Sequence, residues 1–298
     1  MENTRDNRTF QRVAVVFLGI LTVLALFPFL LLVMASFTSE GALVKTGYSI
    51  IPQEWSLEAY SYLGKQGDQI FRAYGVTVLV TLLGTVGNLI ITSMLAYPLS
   101  RKDMPGQKGL TFFVFFTMLF NGGLVPTYLL YTNYLGIKNT IWALLIPGLL
   151  VSAWYVLLMR TFFATNVPSA VIESAQIDGA SEFRTFLSIV MPMSRPIVAT
   201  VGLFAGIAYW NDWYNGMIYL TKSELFSIQN LLTRMMSDIQ FLANNASLAS
   251  SAAGATANIP SMSVRMAIAV VGVLPIVVIY PFVQNNFIKG ISIGAVKG

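Results

Sequence analysis

Six long stretches of the chain contain almost no charged residues, and this feature limits the fold more than any other. They are residues 13–36, 73–100, 109–131, 140–159, 196–218 and 266–288. A bilayer core of about 30 Å is crossed by roughly 20 apolar residues in a helix. Backbone amides find no water in hydrocarbon, so spans this apolar must form helices, with kinks at their prolines and an interruption of the fourth stretch at Pro147-Gly148. The sequence therefore predicts an all-α membrane protein with six transmembrane helices.

The composition agrees with this prediction and excludes several functional classes. Hydrophobic residues make up 55% of the chain and charged residues 10%, against roughly 25% charged in ordinary globular proteins. The chain contains neither cysteine nor histidine. Disulfide scaffolds, Cys/His metal sites and His-based catalytic triads are therefore excluded, and we expect no metal site and no cofactor.

The distribution of charge predicts how the chain crosses the membrane. With the amino terminus inside, 11 of the 18 basic residues but only six of the 13 acidic ones fall in the cytoplasm. Cytoplasmic loops carry an excess of Lys and Arg, so this orientation is favoured and both termini are expected to be cytoplasmic. Topology explains the net charge of +5 without a nucleic-acid partner.

The connections between the stretches differ in length. Outside, residues 37–72 suit a small structured cap, and residues 221–265 include an Ala/Ser/Asn-rich run typical of a flexible loop. Inside, residues 161–195 form the one long connection. No repeat or composition shift marks a second domain, so we interpret residues 1–298 as a single transmembrane domain.

The inner connection has the pattern of two short helices. Pro168 can start a helix over residues 169–176, and Asp178-Gly179 can end it. A second helix follows over residues 181–189 and is expected to close at Met191-Pro192. On pattern alone, an ordinary amphipathic surface loop explains this segment as well.

The spacing of this segment resembles the EAA loop of binding-protein-dependent ABC importers. The positions that carry the resemblance are Glu173, Ser174, Ala175, Gly179, Ile189, Met191 and Pro192, with Ser174 and Met191 as mild departures. In that family the loop is the coupling helix that docks on the ATPase subunit. The resemblance thus implies a type I ABC importer fold in a bacterial cytoplasmic membrane. It also implies ATPase-coupling residues, which are Glu173, Ser174, Ala175, Asp178, Gly179 and Ala180.

Other segments are similar to the carbohydrate importers related to the maltose system, in particular to their shorter, six-span permease. They are residues 121–128, 135–140, 210–213 and 280–298. The resemblance implies an oligosaccharide substrate, a second homologous permease subunit, two cytoplasmic ATPase subunits and an extracellular solute-binding protein. It also implies a carboxyl-terminal tail that faces the ATPase, with Lys289, Lys297 and Gly298.

The chain lacks the sequence signature of an ATP-binding loop, so the energy must come from another polypeptide and the chain is not an enzyme. Within the predicted spans only Asp212 is ionisable, and it lies near the outer face. Ion-driven carriers hold such residues at mid-membrane depth, which argues against ion coupling.

The run Trp210-Asn211-Asp212-Trp213 allows two interpretations. Aromatic rings beside amide and carboxylate groups can hold a sugar on the substrate path. The same residues can instead anchor a helix end in the interfacial aromatic belt. Asn88, alone among Leu and Ile, is expected to form a helix-to-helix hydrogen bond.

Two alternatives to a carbohydrate importer remain at this point. The chain can be the permease of an importer for another solute, such as a polyamine, phosphate or a metal chelate. It can also be an ion-coupled secondary carrier or a non-catalytic membrane scaffold.

Overall fold

The computed structural model describes the backbone of residues 5–244 and 262–278, and the side chains of residues 10–241 and 262–278. In this part of the chain every regular element is a helix, apart from an isolated antiparallel bridge between Thr38 and Trp55. The predicted all-α class is confirmed. The backbone forms two compact units, one of residues 5–67, 232–244 and 262–275, the other of residues 68–231 and 276–278.

Fifteen α-helices follow one another along the described residues. They are α1 (Arg5–Ser36), α2 (Glu40–Thr46), α3 (Glu58–Gly64), α4 (Gly67–Ser100), α5 (Gln107–Leu119), α6 (Leu124–Leu129), α7 (Trp142–Leu145), α8 (Ala153–Asn166), α9 (Ser169–Ile177), α10 (Glu182–Thr185), α11 (Met191–Met193), α12 (Arg195–Trp210), α13 (Tyr214–Tyr219), α14 (Ile228–Asn244) and α15 (Met262–Val278). Two π-helical turns, Leu130–Tyr134 and Phe186–Val190, continue α6 and α10.

Within residues 5–244 and 262–278, two helices are long and apolar enough to cross a membrane alone, namely Phe10–Ser36 within α1 and the whole of α4. Three further pairs of helices qualify only if each bent pair counts as one span. The bend is 112° between α5 and the helix that follows it, and 79° between α8 and α9. The several apolar spans are thus confirmed, and the number six stays a prediction.

Three of the six predicted stretches are not continuous helices, and in the fourth the break lies at the predicted interruption, Pro147-Gly148. The stretch 140–159 is not one helix, because α7 ends at Leu145 and α8 begins only at Ala153. Between them Pro147 has no amide hydrogen to donate, and Gly148 adopts a left-handed φ of 70°. The third stretch breaks after Leu119, and the fifth helix ends at Trp210 instead of residue 218.

The structure describes the whole of the first predicted outer connection, 37–72, but only part of the second, 221–265. The cap after residue 37 is structured as predicted, since Ser39 caps α2 and the Tyr60 ring lies 4.9 Å from that of Phe37. In the connection 221–265, the Ala/Ser/Asn-rich run 242–258 that is predicted to be a flexible loop lies almost wholly outside the described residues. The part before it forms α14, whose buried residues Ile228, Leu231 and Met235 recur every three to four positions, the spacing of an amphipathic helix.

The core of the second unit lies where α4, α8, α9, α10 and α12 meet. Its buried residues include Leu99, Val156, Phe163, Ile172 and Val201. Along α4 the buried face is a stripe of mostly small or polar residues, from Ala73 through Thr77, Gly84, Asn88 and Thr92 to Ala96. Small residues on such a stripe let neighbouring membrane helices approach closely.

Candidate coupling site

Helix α9 presents one face to the core and one to the outside. Ile172 and Ala175 are buried at 8% and 6% exposure, and Ile172 joins the core at the end of α4 and α8. On the opposite side Glu173 and Ser174 are exposed, and Ile177 is 86% exposed. An isoleucine so exposed at the end of an ordered helix is available to a partner surface. The predicted helix 169–176 is confirmed to within one residue.

The end of α9 is fixed by a glycine. Gly179 has a φ of +76°, the left-handed conformation that L side chains rarely adopt. Its amide donates to the Gln176 carbonyl at 3.0 Å, and the Ala180 amide donates to the Ala175 carbonyl at 2.9 Å. These two bonds form a Schellman motif, which ends the helix and turns the chain back. Gly179 is therefore required by the backbone.

The second arm of the hairpin begins with a conventional cap and ends later than predicted. The Ser181 hydroxyl accepts a hydrogen bond from the Arg184 amide at 3.3 Å and caps α10. The chain then continues helically past Pro192, and the 83° bend into α12 follows Met193. The helix thus ends at Met193, one residue beyond the predicted closure at Met191-Pro192, because a proline is tolerated in the first turn of a helix, here α11.

A polar cluster, which we call the Glu182 cluster, joins this hairpin to α4. It consists of Tyr97, Arg101, Gln176 and Glu182. The Glu182 carboxylate accepts from the Tyr97 hydroxyl at 2.7 Å, from Arg101 Nη1 at 3.3 Å and from Gln176 Nε2 at 2.8 Å. One carboxylate thereby connects the end of α4 to both arms of the hairpin.

Arg101 carries a second ion pair that holds its guanidinium in place. Its Nε and Nη2 donate to the two carboxylate oxygens of Asp103 at 2.9 and 2.7 Å. This bidentate contact raises the pKa of Arg101, and it lowers the pKa of the Asp103 carboxyl. Arg101 is thus a fixed cation that faces Glu182 from the side of α4.

The structure brings most of the predicted coupling residues to one turn of chain. Glu173, Ser174, Asp178 and Gly179 are exposed there, and Ala180 is half-buried. Ala175 is instead buried and packs inward. The predicted tail residues Lys289, Lys297 and Gly298 lie outside the described residues.

The Glu182 cluster was not predicted from the sequence. Its members Tyr97 and Glu182 are 85 residues apart, and no local pattern connects them. The available signal was a basic residue directly after a predicted span and an acidic residue in the inner connection, which is too common a pattern to identify a pair.

A second polar region lies at the break between α7 and α8. Asn88 Nδ2 donates to the carbonyls of Leu149 and Leu150 at 2.9 and 3.1 Å. The Tyr209 hydroxyl donates to the Leu145 carbonyl at 2.8 Å, and Asn215 Nδ2 donates to the Pro147 carbonyl at 3.0 Å. Side chains from three helices thus satisfy carbonyls that the broken helix leaves without partners. Asn88 was predicted to form a helix-to-helix hydrogen bond; it does bond to another segment, but the acceptors lie in the break between α7 and α8 and not in a helix.

The predicted substrate-path residues lie at the end of α12. Trp210 is buried at 8% exposure, whereas Trp213 is 45% exposed with its ring beside that of Tyr214. Asn211 donates to the carbonyl one turn back, and Asp212 Oδ1 accepts from the Asn215 amide at 3.1 Å. The four residues therefore do not share one open surface, and both interpretations stay predictions.

Among residues 5–244 and 262–278, no three acidic side chains come together in a way that can hold a metal ion.

The chain matches one protein family over nearly its whole length. The family is described as binding-protein-dependent transport system inner membrane component, and the match covers residues 6–293.

Several characterised proteins are similar to the chain from end to end. The polygalacturonan/rhamnogalacturonan transport system permease protein of Bacillus subtilis is 36% identical over 98% of this chain and 99% of its own length. The galactooligosaccharides transport system permease protein of the same species is 28% identical over 94% of this chain and 93% of its own length.

A solved structure agrees as well. A chain from the crystal structure of a bacterial ABC transporter involved in the import of the acidic polysaccharide alginate superposes with a TM-score of 0.77 and 27% identity. The match covers 96% of this chain and 99% of that one.

Proposed function

The chain belongs to the binding-protein-dependent transport system inner membrane components, and from that premise we propose that it pairs with a second, homologous permease to import an oligosaccharide. It is a non-catalytic, multi-pass permease subunit of the bacterial inner membrane, and a separate ATPase supplies the energy. A solute-binding protein delivers the substrate. Two ATPase subunits serve the permease pair.

The observation that carries the coupling role is the exposed face of α9 on an anchored hairpin. Ile172 fixes the helix to the core, and Glu182 ties both arms to Arg101 on the side of α4. A force applied to Ile177 or Glu173 is therefore passed to α4 and, through the bend at Ser194, to α12. Packed elements move as rigid bodies, so closure of the ATPase dimer turns the spans.

The substrate class follows from the relatives. Two of them transport polygalacturonan/rhamnogalacturonan and galactooligosaccharides, and a similar solved transporter imports alginate. We therefore expect an oligosaccharide or a polysaccharide fragment, and acidic ones are the first to test. Trp213 is the exposed aromatic ring that can stack on a sugar near the end of α12.

Co-purification tests the assembly. The tagged chain, extracted from its own host in mild detergent, should recover a second permease and an ATPase in a ratio of one to one to two by mass spectrometry. A binding protein should join in the presence of sugar. Recovery of the chain alone and well folded, with ion-driven transport after reconstitution, would favour the secondary carrier.

Uptake of labelled oligogalacturonides tests the substrate and the coupling role separately. The Glu173→Arg variant should insert normally but lose uptake and substrate-stimulated ATPase activity. Glu224→Arg is the matched control, because Glu224 is equally exposed and lies in the predicted outer connection. Normal uptake by Glu173→Arg would contradict the role of α9. Uptake of a polyamine or phosphate but of no sugar would leave the importer intact and overturn the substrate.

A further inference from the structure

A pocket between α5 and α8 has the two properties of a lipid site. Its volume is about 360 Å³, and its walls combine the apolar side chains of Phe112, Phe115 and Leu157 with the cations Lys108 and Arg160. No acidic residue lines it. One end is therefore suited to acyl chains and the other to an anion.

The basic end of the pocket is built by hydrogen bonds. Arg160 Nε donates to the Leu99 carbonyl at 2.9 Å, and Gln107 Nε2 donates to the same oxygen at 2.8 Å. The end of α4, the start of α5 and the middle of α8 thus meet at one carbonyl, and the guanidinium of Arg160 is held against the pocket by its Nε. Its two Nη groups can bind a phosphate bidentately.

The charge of these two cations is not neutralised within the described part of the chain. Neither Lys108 nor Arg160 forms an ion pair there, whereas the neighbouring Arg101 contacts both Asp103 and Glu182. Lys108 is exposed and Arg160 is half-buried. A cation that lacks a carboxylate and sits on an apolar wall favours an anionic ligand.

The charge pattern of the sequence predicts that both cations lie at the level of the lipid headgroups. Lys108 directly precedes the apolar stretch 109–131, and Arg160 is the first charged residue after the apolar stretch 140–159. The face of α5 beyond Lys108 is apolar and open, with Phe112 at 65% exposure and Phe115 at 43%. Basic pockets between membrane helices at this level bind anionic headgroups.

From this arrangement we propose that the pocket binds the headgroup of an anionic phospholipid. The phosphate contacts Lys108 and the Nη groups of Arg160, and an acyl chain lies along Phe112 and Phe115. The lipid fills the gap between α5 and α8 and keeps the start of α5 and the middle of α8 together beside α4. This site is independent of the coupling role of α9.

Native mass spectrometry of the assembled transporter tests the site. The complex is exchanged from nanodiscs of phosphatidylcholine with phosphatidylglycerol, or of phosphatidylcholine alone, and the retained lipids are counted. Wild type should retain at least one more phosphatidylglycerol than the Lys108→Gln/Arg160→Gln variant. Each basic residue near an anionic surface contributes about fivefold in affinity, so the double variant should lose about 25-fold.

Matched variants separate the site from general surface charge. Lys102→Gln removes a nearby exposed cation that does not line the pocket, and it should keep the lipid. Lys108→Arg keeps the positive charge and should also retain the lipid. Equal retention by wild type and the double variant would overturn the proposal.

The same preparation tests two other possible occupants of the pocket, a free anion and the second permease. If inorganic phosphate displaces the phosphatidylglycerol at millimolar concentration, the site is an anion site and not a lipid site. If a photo-crosslinker at residue 115 reacts with the second permease instead of lipid, the pocket is a subunit interface. Either result overturns the proposal.

Discussion

Helix α4 takes part in two polar regions that are built in opposite ways. Near its end, Tyr97 and Arg101 hold the hairpin through Glu182, whose side chain is 58% exposed. In its middle, Asn88 holds the carbonyls of the α7–α8 break, and Asn88 is fully buried. The first region depends on a charged group that is exposed to solvent, and the second on neutral hydrogen bonds between buried groups.

From this difference we infer that the buried region at the break determines stability and that the Glu182 cluster determines coupling. The Arg101 side chain is only 14% exposed but that of Glu182 is 58% exposed, and an ion pair that reaches the solvent contributes little to stability, typically about 0 to 1 kcal/mol. A buried carbonyl without its donor costs about 1 to 3 kcal/mol. We therefore expect changes at the break to unfold the protein, and changes at the Glu182 cluster to leave it folded but uncoupled.

The largest effect is expected where α4 and α12 touch. A Cβ at Gly84 would lie 2.4 Å from Cζ of the Tyr209 ring, far inside van der Waals contact. Gly84→Leu should therefore prevent folding, and Gly84→Ala should cost about 1 to 3 kcal/mol or more. Thermal unfolding in detergent measures this. Gly75→Ala is the control, because a Cβ there meets nothing within 4 Å, and equal stability of the two alanine variants would contradict the close packing.

Removal of the donors at the break should have the next largest effect. Asn88→Leu leaves the carbonyls of Leu149 and Leu150 without this donor and should cost about 2 to 3 kcal/mol, while Tyr209→Phe removes a single bond and should cost about 1 to 2 kcal/mol. Unfolding midpoints in detergent give the order. If both variants match wild type, these bonds do not stabilise the break.

The end of α9 should respond less in stability and more in activity. Gly179→Ala forces an L side chain into the left-handed region, at a cost of about 1 to 2 kcal/mol. Because the turn sits at the proposed contact, substrate-stimulated ATPase activity should fall further than the melting temperature suggests. Gly179→Asn is the control, since Asn tolerates this conformation and should retain more activity. Equal activity of both variants would show that activity does not require a residue that tolerates the left-handed conformation at position 179.

Glu182→Ala should reduce coupling with little loss of stability. It removes three hydrogen bonds at a partly exposed position, so the stability loss should stay within about 1 kcal/mol. Coupling should nevertheless fall, measured as sugar transported per ATP hydrolysed. An Asn88→Leu protein that is rescued by low temperature should show normal coupling. If Glu182→Ala kept normal coupling and the rescued Asn88→Leu protein lost it, the proposed roles of the two regions would be reversed.

The smallest effect concerns pH. The folded pKa of Asp103 is lowered because Arg101 donates to it, so this contact stabilises the fold above the ordinary carboxyl pKa near 4 and is lost as pH falls through the lower folded value. Stability between pH 7 and 5 should not change through this pair. Below about pH 4 wild type should lose slightly more stability than Asp103→Asn. Identical acid profiles would show that the pair contributes nothing.

The sequence predicted what local chemistry determines. Pro168 and Gly179 marked the two ends of α9, and the apolar run of α4 marked a span, so both helices were found. The interruption at Pro147-Gly148 was predicted, but its extent was not, because such a pair can be either a kink or a stop. Which one occurs depends on donors as distant as Asn88 and Asn215. The Glu182 cluster was missed for the same reason, since tertiary packing selects its pairs.

Site-directed crosslinking at Ile177 tests the central claim, that the exposed face of α9 meets the ATPase. The chain has no natural cysteine, so Ile177→Cys is its single thiol and can be labelled with a photoactivatable maleimide in a transporter whose other subunits have had their cysteines replaced. Ala175→Cys, two residues away and buried, is the control. We expect illumination to join Ile177→Cys to the ATPase subunit and Ala175→Cys to nothing. An intact complex in which Ile177→Cys reacts only with water or with the other permease would contradict the claim.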